Sequence, residues 1–396
     1  MKKVLIIGAG FLQAFLIKKA KVTGFEVHTV DMDPNAPGFQ YADHHAIISI
    51  IDEKACLEYA KKNKIDGVLT AATDYGVLTT SFIAQEMGLP GVKYEVAKLI
   101  KNKYRVRKTL FEHHVDDTEQ AYEVDSNTNL DVIKEKLQYP VMVKPCDGSG
   151  SRAASRVDES SQLASACQMA MNSSMTHRAV IESFIYGDEY GADSLVVNGN
   201  VHVMAIMKKW MTKPPYYAEL GHAIPCGLPS DIEVRAKECV SNAIKALGIN
   251  HGAVNMDMLI TKEGKIHIVD VGARMGGNLI CSHIIPIGTG IDYMKATIQN
   301  AVGDPVDLSE KERYCVATRL LAFEDGYIHD IKYAENLCHE HGVELYHHLI
   351  EGQQVHQYHT NLDGGGYIVA KDVDISLAIN KVSDALALIK QHCFLK

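Results

Sequence analysis

The chain opens with a regular alternation of two patterns. Val4–Ile7, Phe25–Val30, Ala46–Ile48 and Gly67–Leu69 are short continuous apolar runs, the length of buried strands, and Leu12–Ala20, Glu53–Lys61 and Val77–Met87 between them carry helical periodicity. Strands alternating with helices predict an α/β unit, a parallel sheet with helices on both faces. Leu89-Pro90-Gly91 punctuates the chain and is expected to end this unit.

Val96–His113 reads as one helical stretch leading into a second α/β region. There Val141–Lys144, Ala179–Glu182, Glu189–Val197 and Val201–Met207 are strand-like, and Ser160–Met171 and Ile232–Leu247 helical. Val254–Ile260 and Lys265–Val271 read as strands around Glu263-Gly264, taken as a two-residue hairpin turn. From Tyr314 the pattern is mostly strand-like and closes on the amphipathic stretch Ile375–Ile389.

The 396 residues, 46% apolar, 22% charged and 7% aromatic, suit several globular domains and exclude disordered, collagen-like and coiled-coil classes. Lys plus Arg number 40 against 49 Asp plus Glu, a balance of −9 that argues against nucleic acid or an anionic membrane as partner. No apolar run nears the ~20 residues of a membrane helix. The run after Lys2-Lys3 breaks at Gly8-Ala9-Gly10, so no secretory leader is expected. Nine scattered cysteines without C-x-x-C spacing suit reduced thiols, which makes the expected compartment cytoplasmic.

Three motifs offer chemistry. Gly8-Ala9-Gly10 follows the first strand, and Asp31 lies 21 positions beyond Gly10, nearly completing a dinucleotide fingerprint. Gln13 stands where that fingerprint needs a small residue, so a βα turn without ligand is the simpler reading. A second glycine loop, Lys144-Pro145-Cys146-Asp147-Gly148-Ser149-Gly150-Ser151-Arg152, follows a buried strand. Its N–H groups can face phosphate oxygens with Lys144 as a point charge, or it is a solvated hairpin loop; no Walker A ending closes it. Third, the Glu263-Gly264 turn sets Asp257 opposite Asp270, with Cβ atoms ~4.5–5.5 Å apart. Two like charges so placed call for a divalent cation such as Mg²⁺, unless they face solvent or one is protonated. Leu259 shares their face as an apolar floor, and Gly272-Ala273-Arg274-Met275-Gly276-Gly277-Asn278 brings an arginine beside them.

These residues resemble the ATP-grasp ligases, in particular the carboxylate–amine and L-amino acid ligases that are similar to carbamoyl-phosphate synthetase and biotin carboxylase. The resemblance spans nearly the whole chain and includes Asp363-Gly364-Gly365-Gly366-Tyr367-Ile368-Val369-Ala370, which looks like the family's closing strand. It implies an ATP-grasp fold with a Rossmann-like pre-ATP-grasp domain over residues 1–93, a nucleotide clamp over 94–310 with a small lid at about 115–185, and a C-terminal α+β unit over 311–396. Lys103, in a K-x-x-x-R-x-x-L run, and Lys144 would be the two phosphate-binding lysines. Gly148, Ser149, Gly150 and Ser151 would close over the phosphates. Glu182, Ser183, Phe184 and Ile185 match the adenine-reading hinge, and Glu189 the ribose acid. Asp257 and Asp270 match the metal-binding acids, and Arg274 the arginine that steadies the acyl phosphate.

The chain departs from that pattern in places. Gly272 stands where the family commonly has a metal-binding Asn, so Asn278 or water would have to substitute; both acids are Asp where Glu is frequent; and Ala153-Ala154 replaces Gly-Val. The implied chemistry uses ATP with Mg²⁺ (or Mn²⁺): a substrate carboxylate is phosphorylated, and an amine displaces phosphate to give an amide. Small carboxylates and amines are the implied partners, with a homodimer as the expected assembly. His222 is a candidate substrate contact together with Arg274 and Asn278. His339, His341, His347 and His348 near Cys338 lack recognised metal spacing. Two rivals stay open: an NAD(P)-dependent oxidoreductase built on the Gly8 turn, and an ATP-binding regulator without turnover.

Overall fold

The computed structural model describes residues 1–116, 118, 120–150 and 152–395. Its first layer is a parallel sheet of β1 (Lys3–Ile7), β2 (Glu26–Asp31), β3 (His44–Ile47) and β4 (Gly67–Leu69), ordered β3-β2-β1-β4. The continuous apolar run of β1 follows from burial on both faces. Val4 and Ile6 pack with α1 (Gln13–Val22), while Leu5 and Ile7 pack with α2 (Glu53–Asn63) and α3 (Val77–Met87).

The stretch expected as one helix over Val96–His113 is two, α4 (Tyr94–Ile100) and α5 (Lys103–Glu112). Asn102 breaks it: its backbone is extended and its side-chain oxygen accepts from the Arg105 N–H at 2.9 Å, so α5 starts at Lys103. An antiparallel sheet follows, of β5 (Ala121–Val124), β6 (Val141–Pro145), β7 (Ser155–Val157) and β8 (Ala179–Ser183), ordered β5-β8-β6-β7. It is backed by α6 (Leu130–Lys134) and α7 (Leu163–Ser173). Val141 and Val143 pack toward those helices, so Met142 and Lys144 face the other way.

The largest sheet is antiparallel throughout. It comprises β9 (Asp188–Val197), β10 (Asn200–Met211), β11 (Glu219–Ile224), β12 (Gly252–Ile260), β13 (Ile266–Gly272), β14 (Cys315–Leu320), β16 (Glu344–His347) and β18 (Gly366–Asp372), in the order β13-β12-β9-β10-β11-β14-β18-β16. The strands β15 (Gly326–Ile328), β17 (Gln354–Val355) and β19 (Phe394–Leu395) form a minor sheet. Helix α8 (Ser230–Ala246) packs beneath β9, β10 and β12. The C-terminal stretch is less strand-rich than expected: helices Ile331–Glu340 and Ile375–His392 occupy much of it. The first hides a short stripe of Ala334, Leu337 and Cys338 that periodicity over so few residues does not reveal. No helix among the described residues is long and apolar enough to cross a membrane.

Candidate active site

The face of the large sheet opposite α8 is the floor of a cavity of about 820 Å³. Asn255, Asp257 and Leu259 alternate onto this floor, while Val254, Met256, Met258 and Ile260 pack beneath. Asp257 and Asp270 are cross-strand partners, but not through a two-residue turn at Glu263-Gly264. Three residues, Lys262, Glu263 and Gly264, join the strands; Gly264 sits at φ +76° and its N–H donates to Thr261 O at 2.9 Å. That turn pairs Leu259 with His267, a register that would bring Val269 opposite Asp257. A β-bulge at Val269 inserts one residue and turns Asp270 onto the cavity face instead. A second bulge acts likewise on β11. Trp210 pairs with Gly221 but Met211 with Glu219, so Leu220 is the extra residue and Glu219 joins the face of Lys209.

Lys209 is the hub of this floor. Its ammonium, 1% exposed, lies 2.8 Å from Glu189, 2.7 Å from Glu219 and 2.8 Å from Asp257. Burial opposes its charge, yet the three carboxylates outweigh burial and hold its pKa well above the ordinary lysine value. Burial pushes Asp257 up, and Glu219 and Glu189 add to this beyond what Lys209 offsets. Glu219, despite burial, is held down by Lys209 and then by His222. Read from alternation alone, β10 ends at Met207 where Lys208-Lys209 begins, and Lys209 is missed. The overlooked signal is that Lys209 continues the inward face of Met207 and Met211.

Two more lysines meet acids across the cavity. Lys103, at the start of α5, lies 2.5 Å from Asp270, whose charge overcomes the cost of burial and raises the lysine pKa. Lys144 lies 2.6 Å from Glu182, and Arg107 reaches the same carboxylate at 3.4 Å while bonding Asp116 and the Ile268 carbonyl. Burial would raise Glu182, but Lys144 and Arg107 bring it below the usual carboxylate range. In the hinge, the Ser183 N–H donates to Gln120 O and the Phe184 N–H to Pro140 O, both at 3.2 Å. Ser183, Phe184, Ile185, Glu189 and Leu259 all line the cavity, as do Gly148, Ser149 and Gly150. Ser151 lies outside the described residues. Beyond it, Arg152 reaches the hydroxyl and ring of Tyr75, in the loop after β4.

That loop also supplies Asp74, which periodicity gave no reason to select. Arg274 Nε and Nη2 lie 2.9 and 3.3 Å from the two Asp74 oxygens, and Nη1 donates to Asn255 at 3.0 Å. Both groups are buried against their charge; the pairing nonetheless lowers the Asp74 pKa and raises that of Arg274. A Cβ on Gly272 would lie 2.9 Å from Asp74 Oδ1 and 3.3 Å from the Arg274 guanidinium carbon. The acid therefore fills the space that a side chain at 272 would need. Asn278 is committed elsewhere, its Nδ2 donating to Glu219 and its Oδ1 accepting from the Tyr367 hydroxyl at 2.8 Å. His222, the cross-strand partner of Lys209, is buried with Nε2 3.6 Å from Glu219 Oε2 and is not among the described residues lining the cavity. Burial drives its pKa down to about 4.

Residues 137–282 match the family described as ATP-grasp domain, and residues 4–85 the PylC-like N-terminal domain. The chain carries an ATP-grasp domain over residues 137–282. It is 21% identical to carnosine synthase 1 of Homo sapiens over 331 residues, 76% of this chain and 40% of that one. It thus spans about two fifths of the length of that relative. The crystal structure of an L-amino acid ligase from Bacillus licheniformis superposes with a TM-score of 0.82 over 97% of both chains at 22% identity. The biotin carboxylase domain of the Hydrogenobacter thermophilus 2-oxoglutarate carboxylase, in complex with ADP, its magnesium salt and bicarbonate, gives 0.78 at 15% identity over 98% of this chain and 89% of that one. Likeness at these identities is one of fold, and the expected ATP-grasp architecture with a parallel N-terminal sheet is the one observed. The Gly8 turn, which lies outside the ATP-grasp domain, is filled from within. The Gln13 side chain packs under Gly8, donates to Ala71 O at 2.7 Å, and leaves Asp31 to accept from the Ala9 N–H at 2.8 Å.

Proposed function

We propose that the protein is an ATP-dependent carboxylate–amine ligase acting on small metabolites, amino acids foremost, with release of ADP and phosphate. The observation that carries this reading is one cavity lined by the facing acids Asp257 and Asp270, by Lys103 paired with Asp270, by Lys144 paired with Glu182, and by Arg274. Two carboxylates on one sheet face, flanked by ammonium groups, offer the hard oxygen donors and counter-charges that suit a magnesium triphosphate. Residues 1–93 supply the acceptor-side loop with Asp74, residues 94–310 the clamp with its lid at about 115–185, and residues 311–396 the Tyr367 side of the cavity.

Asp257 and Asp270 would hold Mg²⁺ or Mn²⁺, which would supply charge neutralisation at the bound triphosphate. Lys103 and Lys144, which rest on Asp270 and Glu182, exchange these carboxylates for phosphate oxygens. The hinge Glu182–Ile185 holds the adenine, Glu189 the ribose hydroxyls and Leu259 the base from below. The substrate carboxylate attacks the γ-phosphorus and ADP departs. The amine then attacks the acyl carbon, phosphate leaves and a proton is released. Arg274, fixed by Asp74, offsets charge on the acyl phosphate. Gly148–Arg152, latched to Tyr75, keeps water from that intermediate. Asn278 and Glu219 face the acceptor, with His222 behind them, and two copies associate as a homodimer.

The Gly8 turn, already filled by Gln13, gives no support to an NAD(P) enzyme. Incubation with Mg-ATP and pools of amino acids and small acids tests the proposal, with ADP and new amide products as readouts. Substrate-dependent ADP formation is expected, abolished in Lys144→Ala and Asp270→Asn. Unchanged turnover in both variants overturns the assignment, and nucleotide binding without substrate-stimulated ADP release identifies a regulator instead.

A further inference from the structure

A second set of donors converges at the β3 edge of the N-terminal sheet, outside the cavity. Glu26 and His28 alternate onto one face of β2, and His44 on the edge strand β3 is the cross-strand partner of His28. Glu26 Oε1 lies 3.1 Å from His28 Nε2 and 3.5 Å from His44 Nε2, and the three donor atoms all fall within 4.8 Å of one another. Tetrahedral zinc with bonds of ~2.0–2.1 Å places neighbouring donors ~3.3 Å apart, close to these separations. Among the described residues no other group of three or more His, Cys, Asp or Glu donors lies so close together. The histidines between 339 and 348 form no such group.

The surroundings are those of a ligand set. His28 is 1% exposed, and its Nδ1 meets the Tyr59 hydroxyl at 3.1 Å, the outer hydrogen bond that orients a ligating imidazole and leaves Nε2 for the metal. His44 is 57% exposed, so an ion can enter and keep a water in the fourth position. Lys3 Nζ, 3.1 Å from Glu26 Oε1, is the cation now at the site; at 34% exposure it has solvent to retreat into. None of the three donors lines the large cavity.

We propose that Glu26, His28 and His44 bind a divalent transition ion, zinc by ligand type, that clips the edge strand β3 to β2. Two imidazoles and a carboxylate favour zinc or cobalt over magnesium, which separates this site chemically from the oxygen-only cavity floor.

The test titrates zinc into the full chain, in excess Mg²⁺ to occupy the cavity acids, against a chromophoric chelator, with cobalt(II) absorption read in parallel. One equivalent with the intense visible bands of four-coordinate cobalt is expected. His44→Ala, at an exposed position that folding tolerates, and Glu26→Gln weaken it by about tenfold or more. Lys3→Ala tightens it. No stoichiometric binding, equal binding by wild type and His44→Ala, or only the faint spectrum of octahedral cobalt overturns the proposal.

Discussion

Replacing Lys209 with Met removes one ammonium and little volume, and so isolates what that charge does. Three carboxylates share it at 2.7–2.8 Å, and it is 1% exposed. Without it, Glu189, Glu219 and Asp257 face one another; at an effective dielectric of ~20 and ~5 Å, each pair repels by about 3 kcal/mol. Protonation caps the cost, because a carboxyl whose pKa rises takes up a proton at about 1.4 kcal/mol per pH unit. Removing one partner of a buried ion pair costs about 3–5 kcal/mol, and that loss is expected near pH 8. The sign with pH follows from linkage. Carboxyls with raised folded pKa contribute stability below the unfolded carboxylate range and lose it as pH rises, so the deficit should shrink to less than about half near pH 5. Urea unfolding of both proteins at the two pH values measures it. A deficit equal at both would mean that Lys209 matters for packing and not for charge.

Asp74→Asn should cut substrate-dependent ADP formation by about tenfold and also lower the melting temperature, since removing one charge of a buried pair costs about 3–5 kcal/mol; a normal rate, measured well below that temperature, would detach Asp74 from Arg274 function. Gly272→Asn should destabilise by about 1–3 kcal/mol through overpacking against Asp74 and Arg274, and adding Asp74→Ala should restore part of it; additive losses would exclude steric exchange between the two positions. His222, with a folded pKa of about 4 against ~6.5 unfolded, contributes stability above the unfolded value that is lost as pH falls, about 3 kcal/mol in all. His222→Phe should flatten that acid limb in denaturation curves, and an unaltered limb would place the titration elsewhere.

Elements buried on two faces or capped by plain local signals were readable from the chain. Gly67–Leu69 and Val77–Met87 fall where their patterns placed them, because continuous apolar runs and helical stripes report burial directly. The break at Asn102 was written in the chain as a capping residue but overshadowed by helical spacing on both sides. Asp257 and Asp270 were paired by a turn that does not exist. A three-residue loop and a one-residue bulge displace the register in opposite senses, and neither is visible to periodicity. Lys209 and Asp74 were illegible for a different reason. Their partners sit on other strands or, for Arg274, 200 residues away, so only the assembled sheets bring them together.

The hairpin between β12 and β13 also sets which insertions and deletions the chain can absorb. Its tip lies outside the cavity, so a residue gained or lost there shifts only the crossing point of the loop if the strands beyond keep their pairing. Straightening the bulge with Val269 kept would instead pair Val269 with Asp257 and set Asp270 opposite Met256, on the underside with Val254, where a carboxylate has no water and no cation. Length variation at the tip of this short ribbon is therefore harmless, whereas the one unpaired residue a few positions away is what keeps a charge on the floor.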